Sequence, residues 1–197
     1  MSKTGELQRR EVMKSLLSNR GDMLVVTGLG QCTYDAYAAG DDPRTFYLWG
    51  AMGGAVPMGI GLAVAQPQRR VLVVTGDGEL LMGLGSLAVA GAEKLENLAV
   101  VVLDNERYGE TGQQVTHTAR GTDLAAVAKA AGFRESVTVS DEKGLAGAIR
   151  AAREGAGPVL VVVKVSAEPV PMVLPPKDGS YLKTRFREAV LGPGSVG

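Results

Sequence analysis

At 197 residues the chain is long enough to bury the core of one ordinary domain and too short for two. Lysine plus arginine and aspartate plus glutamate both total 21, so no net field draws the protein to nucleic acid or to an anionic membrane surface. The single cysteine, Cys32, excludes a disulfide framework or a thiolate zinc cluster within one chain, and no apolar run reaches the roughly 18 residues of a membrane span. The opening stretch MSKTGELQRREVMKSLLSNR is charged throughout and lacks the apolar centre of a signal peptide, so a soluble protein in the reducing cytoplasm is expected.

In chain order, Glu6 to Ser18 shows a helical period, with Leu7, Val12 and Leu16 on or near one face. MLVVTG around Leu24 predicts a strand, TFYLW a weaker one, and residues 55–65 a helix. VLVVTG from Val71 predicts the next strand, residues 80–93 one helix, and LAVVVLD from Leu98 a third strong strand. Helical patterns at 123–131 and 141–154 flank the weaker strand ESVTVS, and PVLVVVKV from Pro158 closes the series. The four strong runs are continuous rather than alternating, which marks parallel strands covered on both faces. Strand and helix in alternation then predict an α/β fold: a doubly wound, mainly parallel sheet of about six strands with helices on both faces. Residues 1–168 are expected to form one domain. Residues 169–197 read as a proline-rich arm, a short helix from Tyr181 to Leu191 and a flexible tail, GPGSVG.

The 27 glycines are about twice the average share, and they cluster from Gly50 to Gly91, where backbone is expected to approach a ligand. Asp77 ends the Val71 strand between Gly76 and Gly78, and Asp104-Asn105 ends the Leu98 strand. A helix of roughly fourteen residues runs about 21 Å, and the following strand returns over a similar distance. Both strand ends therefore reach the same edge of a parallel sheet, and Asp77 and Asn105 are placed to meet. One carboxylate, one amide oxygen and a nearby backbone carbonyl suit Mg²⁺, which completes its shell with water and phosphate oxygens. The implied ligand is a diphosphate; the alternative is that GDG is only a turn. GLGQCT after Thr27 lacks the third glycine of a dinucleotide site, and no acidic residue ends a clear second strand about 20 residues on.

GDGELLMGLGSLAVAGAEKLENLAVVVLDN resembles the thiamine-diphosphate motif, which opens with GDG and closes roughly thirty residues later with NN or DN. With LWGAMGGAVPMGIGLAVA and LDNERYGETGQQVTHT, the chain is similar to the diphosphate-binding (PP-type) domain of thiamine-diphosphate enzymes, and most closely to the sulfopyruvate and phosphonopyruvate decarboxylases, from about Leu24 to Val165. The resemblance implies that Asp77, Asn105 and the carbonyl of Arg107 bind Mg²⁺, and that Gly76, Gly78 and the Glu79 amide lie along the diphosphate. It places Gly28, Gly30, Tyr108 and Gly109 at the cofactor too. Gly50 would offer its carbonyl to the aminopyrimidine, and Met52 would support the bent cofactor, whose 4′-imino nitrogen then faces the thiazolium C2 proton. A 2-oxo acid would lose carbon dioxide there and leave as an aldehyde. The glutamate that activates the pyrimidine belongs to a separate domain of about 150 residues. The resemblance therefore implies a pyrimidine-binding α subunit carrying it, in an α2β2 or larger assembly.

The family's Pro-Ser and Glu-Leu pairs after the first strand are replaced here by GLGQCTYDAY, with Gln31, Cys32 and Asp35, which loosens the substrate beyond sulfopyruvate or phosphonopyruvate. Cys32 is either inert packing or a thiol beside the cofactor. His117 is either a proton shuttle to the product or a solvated loop residue. Thr111 and Gln113 are placed to hydrogen-bond a substrate anion. Arg107 and Arg120 are the basic residues nearest this loop, and Met58 and Met82 read as core filler. The expected function is the thiamine-diphosphate- and Mg²⁺-binding β subunit of a heteromeric 2-oxo-acid decarboxylase. The alternatives are a carboligase or oxidoreductase subunit, or a non-catalytic diphosphate-binding module.

Overall fold

The four strong apolar runs lie side by side in one sheet. The structure is a computed structural model and describes residues 6–195. Its elements are α1 (Arg9–Leu17), β1 (Leu24–Thr27), α2 (Gln31–Ala38), β2 (Thr45–Tyr47), α3 (Ala55–Ala65), β3 (Val71–Gly76), α4 (Asp77–Met82), α5 (Ser86–Glu93) and β4 (Leu98–Asp104). They continue with β5 (Arg107–Tyr108), β6 (Gln114–Val115), a 3₁₀ turn at Thr118–Arg120, α6 (Leu124–Ala130), β7 (Glu135–Val139), α7 (Glu142–Glu154), β8 (Val159–Lys164) and α8 (Gly179–Leu191). The six-stranded sheet runs β2-β1-β3-β4-β8-β7 with every pairing parallel, while β5 and β6 form a separate antiparallel hairpin.

Each central strand sends alternate side chains to opposite faces. Leu72, Val74, Ala99 and Val101 pack with α1, α2 and α7 on one side. Val71, Val73, Leu98 and Val100 pack with α3, α5, α6 and Phe186 of α8 on the other. Both faces are therefore apolar, which is why these runs carry no alternation in the sequence. Because β2 and β3 leave β1 in opposite directions, the strand order reverses at β1, and the crevice beyond the carboxyl ends of β1 and β3 is the place such sheets bind ligands.

Three local features depart from expectation. The single helix expected over residues 80–93 is two helices, and the first starts at Asp77. The break falls where Gly83 meets the backbone of Gly53, a contact that leaves no room for a Cβ on Gly83. Second, α2 was not foreseen, because Cys32, Thr33, Tyr34, Asp35 and Ala36 are all buried in succession and leave no helical period of burial to read. Third, Met82 is 63% exposed rather than core filler, whereas Met58 is partly buried against the core.

After β8 the chain crosses the surface without regular structure. Ser166 N–H donates to Leu7 O at 2.9 Å, Arg10 Nη2 to Pro171 O at 2.7 Å and Trp49 Nε1 to Pro176 O at 3.1 Å. The Asp178 carboxylate caps α8 by accepting from the Ser180 and Tyr181 amides. Of the expected flexible tail, Ser195 O accepts from Arg187 Nε at 2.7 Å, and residues 196–197 lie outside the described chain. No helix among the described residues is long and apolar enough to cross a membrane.

Gly91 of α5 touches the carbonyl of Ala131 at the end of α6, and a Cβ there would collide with that oxygen. We expect Gly91→Ala to destabilise the chain by about 2 kcal/mol, the overpacking outweighing the helix-propensity gain of about 1 kcal/mol. Urea unfolding measures this; a loss below about 0.5 kcal/mol would show that the two helices separate freely.

Candidate functional site

β3 and β4 bring the two acidic motifs to one edge. Gly76 lies opposite Leu103, so Asp77 and Asp104 follow as neighbours, with Asn105 one residue beyond. Asp77 is 1% exposed and Asp104 2% exposed. Asp104 is neutralised by Lys164 Nζ at 2.8 Å, which also reaches Glu106 Oε1 at 2.7 Å. Asp77 has no cationic partner among the described residues. Its Oδ2 accepts instead from Thr116 Oγ1 at 2.5 Å and lies 3.1 Å from Thr118 Oγ1, which is itself 2.9 Å from Asp104 Oδ1. Burial raises the Asp77 carboxyl to about 6; the threonine hydroxyls oppose the rise and the charge of Asp104 adds to it.

Asp104 and Asn105 also shape the following hairpin. Asp104 Oδ1 accepts from the Glu106 amide at 3.1 Å and Asn105 Oδ1 from the Arg107 amide at 3.0 Å, side-chain turns that let β5 fold back onto β6. Asn105 Nδ2 donates to Gln31 Oε1 at 3.1 Å, tying the hairpin to the start of α2. The Tyr108 ring lies against Gly78, and any side chain at Gly78 would collide with it.

Met52, Gly76, Gly78, Glu79, Asn105, Arg107, Tyr108, Gly109 and Thr111 line one cavity of about 130 Å³ beside buried Asp77. Gln31, Cys32 and Arg9 line it as well. Gly28 and Gly30 sit behind this wall: Gly28 against the Glu79 carboxylate, and Gly30 in a left-handed turn (φ 71°) beside Glu110. Glu79 Oε2 accepts from the Leu29 amide at 3.0 Å, so its side chain braces the β1–α2 loop, and burial raises its pKa. Gly50 (φ 71°), Gln113 and His117 are exposed and are not brought to the cavity. Arg120 is exposed outside it too. The Cys32 thiol is 3% exposed and pushed well up by burial, then by the charge of Glu79, which makes it a poor nucleophile at neutral pH. Thr116 and Thr118 went unrecognised in the sequence, since two threonines flanking a histidine carry no motif. Arg9 did so because it sits on a helix far from the glycine cluster.

Residues 28–163 match the family described as thiamine pyrophosphate enzyme, C-terminal TPP binding domain. The chain is 44% identical to the sulfopyruvate decarboxylase subunit beta of Methanothermobacter thermautotrophicus over 64% of its own length and 68% of the relative's. It is 35% identical to that of Methanococcus maripaludis over 94% of this chain and 98% of that one. The phosphonopyruvate decarboxylase of Streptomyces viridochromogenes is 38% identical over 87% of this chain, which spans only 43% of that enzyme. A Mycobacterium smegmatis crystal structure, assigned as a thiamin diphosphate-dependent enzyme, shares the fold with a TM-score of 0.70 at 24% identity, over 85% of this chain and 34% of that one. The chain belongs to the thiamine pyrophosphate enzymes, as their C-terminal cofactor-binding domain, and within them to the family of the sulfopyruvate decarboxylase beta subunits. This bears out the α/β fold, the thiamine diphosphate and Mg²⁺ cofactors and the decarboxylase-subunit class expected from the sequence.

The buried Asp77 has a stability consequence. Unfolded, it ionises near 3.8; folded, near 6. Between those values the folded chain holds the extra proton, so this group's contribution to stability falls as pH rises from about 4 to about 6 and stays low above. We therefore expect Asp77→Asn to stabilise the ligand-free chain by on the order of 1–2 kcal/mol at pH 7.5, with the gain shrinking towards pH 4.5. Denaturant unfolding at the two pH values checks this; a loss of stability at pH 7.5 would contradict it.

Proposed function

We propose that this chain is the diphosphate-binding half of a heteromeric decarboxylase that converts a sulfonated or phosphonated pyruvate to an aldehyde and carbon dioxide. One observation carries most of it: a buried carboxylate with no counter-charge among the described residues, Asp77, stands next to the strand end that bears Asn105, beside a cavity lined by glycines.

The donor set fits the implied groups. No cluster of three His, Cys, Asp or Glu among the described residues forms an all-protein metal cage. Asp77, the Asn105 amide oxygen and the Arg107 carbonyl instead form the sparse, hard-oxygen set that suits Mg²⁺ shared with phosphate oxygens. The glycines Gly76 and Gly78 at the β3–α4 junction let the diphosphate approach the backbone closely. Bound thiamine diphosphate supplies the electron sink for loss of carbon dioxide from a 2-oxo acid.

The chain's own residues bind, orient and exclude water. Asp77 is kept ready for a cation by Thr116 and Thr118, and the short hairpin that follows Asn105 puts Arg107, Tyr108 and Thr111 on the cavity wall. Arg107 is the cation on this hairpin that faces the cavity and suits a sulfonate or phosphonate, a role that exposed Arg120 is not placed to share. Met52, 37% exposed, offers the apolar support on which the cofactor rings rest. Trp49, one residue before Gly50, is fixed by Pro176 O and by Lys177 over its ring, which holds the Gly50–Met52 loop to the surface arm.

The relatives named subunit beta support a partner subunit, and so does the Streptomyces enzyme, of which this chain matches less than half. We assign to that partner the pyrimidine site and its glutamate, in an α2β2 or larger complex. The test is to co-express the chain with its neighbouring pyrimidine-domain subunit and measure carbon dioxide release from sulfopyruvate and phosphonopyruvate. We expect turnover only with both subunits, Mg²⁺ and thiamine diphosphate, and a loss of about a hundred-fold or more in Asp77→Ala and Asn105→Ala. Full turnover by this chain alone, or by Asp77→Ala in the complex, would contradict the assignment.

A further inference from the structure

Cys32, Leu103 and Val165 line the same cavity, and with them stands Arg9, the first residue of α1. Its side chain is 5% exposed. Arg9 Nη1 donates to Asp35 Oδ2 at 2.7 Å, and Arg10 Nε donates to Asp35 Oδ1 at 3.1 Å. Asp35 is fully buried. Two guanidinium groups thus share one carboxylate, and the cluster keeps an uncancelled positive charge beside the cavity. Arg9 Nε is buried and has no acceptor among the described residues. Leaving such a donor without a partner is costly, so an acceptor oxygen brought to it by a ligand is favoured. The two glutamates that line the cavity have other partners: Glu79 Oε2 accepts from the Leu29 amide, and Glu110 lies 3.5 Å from the Tyr34 hydroxyl.

We infer that Arg9, anchored by Asp35, donates to the anionic diphosphate of the cofactor within this cavity. The inference rests on the function proposed above, because Gly76, Gly78 and Asn105, the residues assigned there to the diphosphate and its metal, line the same cavity. An anion that meets both Mg²⁺ and a buried guanidinium has its charge balanced by two cations. Arg9 lies before residues 28–163, the stretch that matches the family's cofactor-binding domain. The N-terminal helix thereby becomes part of the site as well as of the core. Asp35 acts as a positioning residue: it fixes the guanidinium and moderates its charge.

The test is calorimetric titration of magnesium pyrophosphate and of magnesium thiamine diphosphate into the full chain and into its complex with the partner subunit. Wild type is compared with Arg9→Gln, Arg9→Lys and Asp35→Asn, and ligand-free melting temperatures report folding. We expect Arg9→Gln to bind pyrophosphate about ten-fold or more weakly. Arg9→Lys, which keeps the charge but loses the fork of donors, should fall between. Asp35→Asn, whose amide oxygen still accepts from Arg9 but whose counter-charge is gone, should bind as tightly as wild type or more tightly. A merely structural ion pair would instead lower stability in all three variants and weaken binding to the same extent in Arg9→Gln and Asp35→Asn, which overturns the inference. Unchanged pyrophosphate binding in Arg9→Gln overturns it as well, while leaving the proposed function standing. Absence of binding by wild type in both forms overturns the proposed function itself. If Arg9→Gln does not fold, Arg9→Lys and Asp35→Asn decide: binding that moves in opposite directions supports the role, and equal loss refutes it.

Discussion

A carboxylate buried without a counter-charge among the described residues, at the junction of a strand and a helix, is the constraint around which the site is arranged. Asp77 is held by two threonine hydroxyls, while the adjacent acid, Asp104, has its own lysine. The asymmetry is physical. Asp104 is satisfied within the fold and organises the hairpin, whereas Asp77 is left with a proton affinity raised by burial and an unmet demand for positive charge. Under the proposed function, a divalent ion held with the anionic diphosphate would meet that demand.

The sheet makes this arrangement possible. Parallel pairing brings β3 and β4 to a common edge with Gly76 opposite Leu103, and the reversal of strand order at β1 opens a crevice there. Around it the chain spends glycine where backbone must come close. Gly78 makes room for the Tyr108 ring, Gly28 for the Glu79 carboxylate, and Gly83 for the Gly53 loop next to Met52. Glu79 lines the cavity as well, and its Oε2 accepts from the Leu29 amide, which braces the β1–α2 loop.

Much of this was legible in the sequence, for reasons that also mark the limits. The four central strands are buried on both faces, so their apolar runs are unbroken and easily read. The GDG and DN motifs sit at strand ends, where chain topology alone puts them at one edge. By contrast, α2 hides its period because consecutive residues are buried, and the helix after Asp77 breaks at a contact between two backbones that no side-chain pattern encodes. Thr116, Thr118 and Arg9 reach the site from a loop and from the first helix, through tertiary contacts at sequence distances of 39, 41 and 26 residues. His117 shows the converse: prominent as the only histidine in the chain, it is exposed, and its two neighbouring threonines are the ones turned inward to Asp77.

The central claim is that Asp77 and Asn105, together with the Arg107 carbonyl, grip one divalent ion that also holds the diphosphate. The most direct measurement is a crystal of the complex grown with Mn²⁺ in place of Mg²⁺ and with thiamine diphosphate, analysed for anomalous scattering. The account predicts a single manganese peak in contact with those three protein oxygens and with two phosphate oxygens. A peak coordinated elsewhere, or an ordered cofactor with Asp77 still bonded only to Thr116 and Thr118, would contradict it.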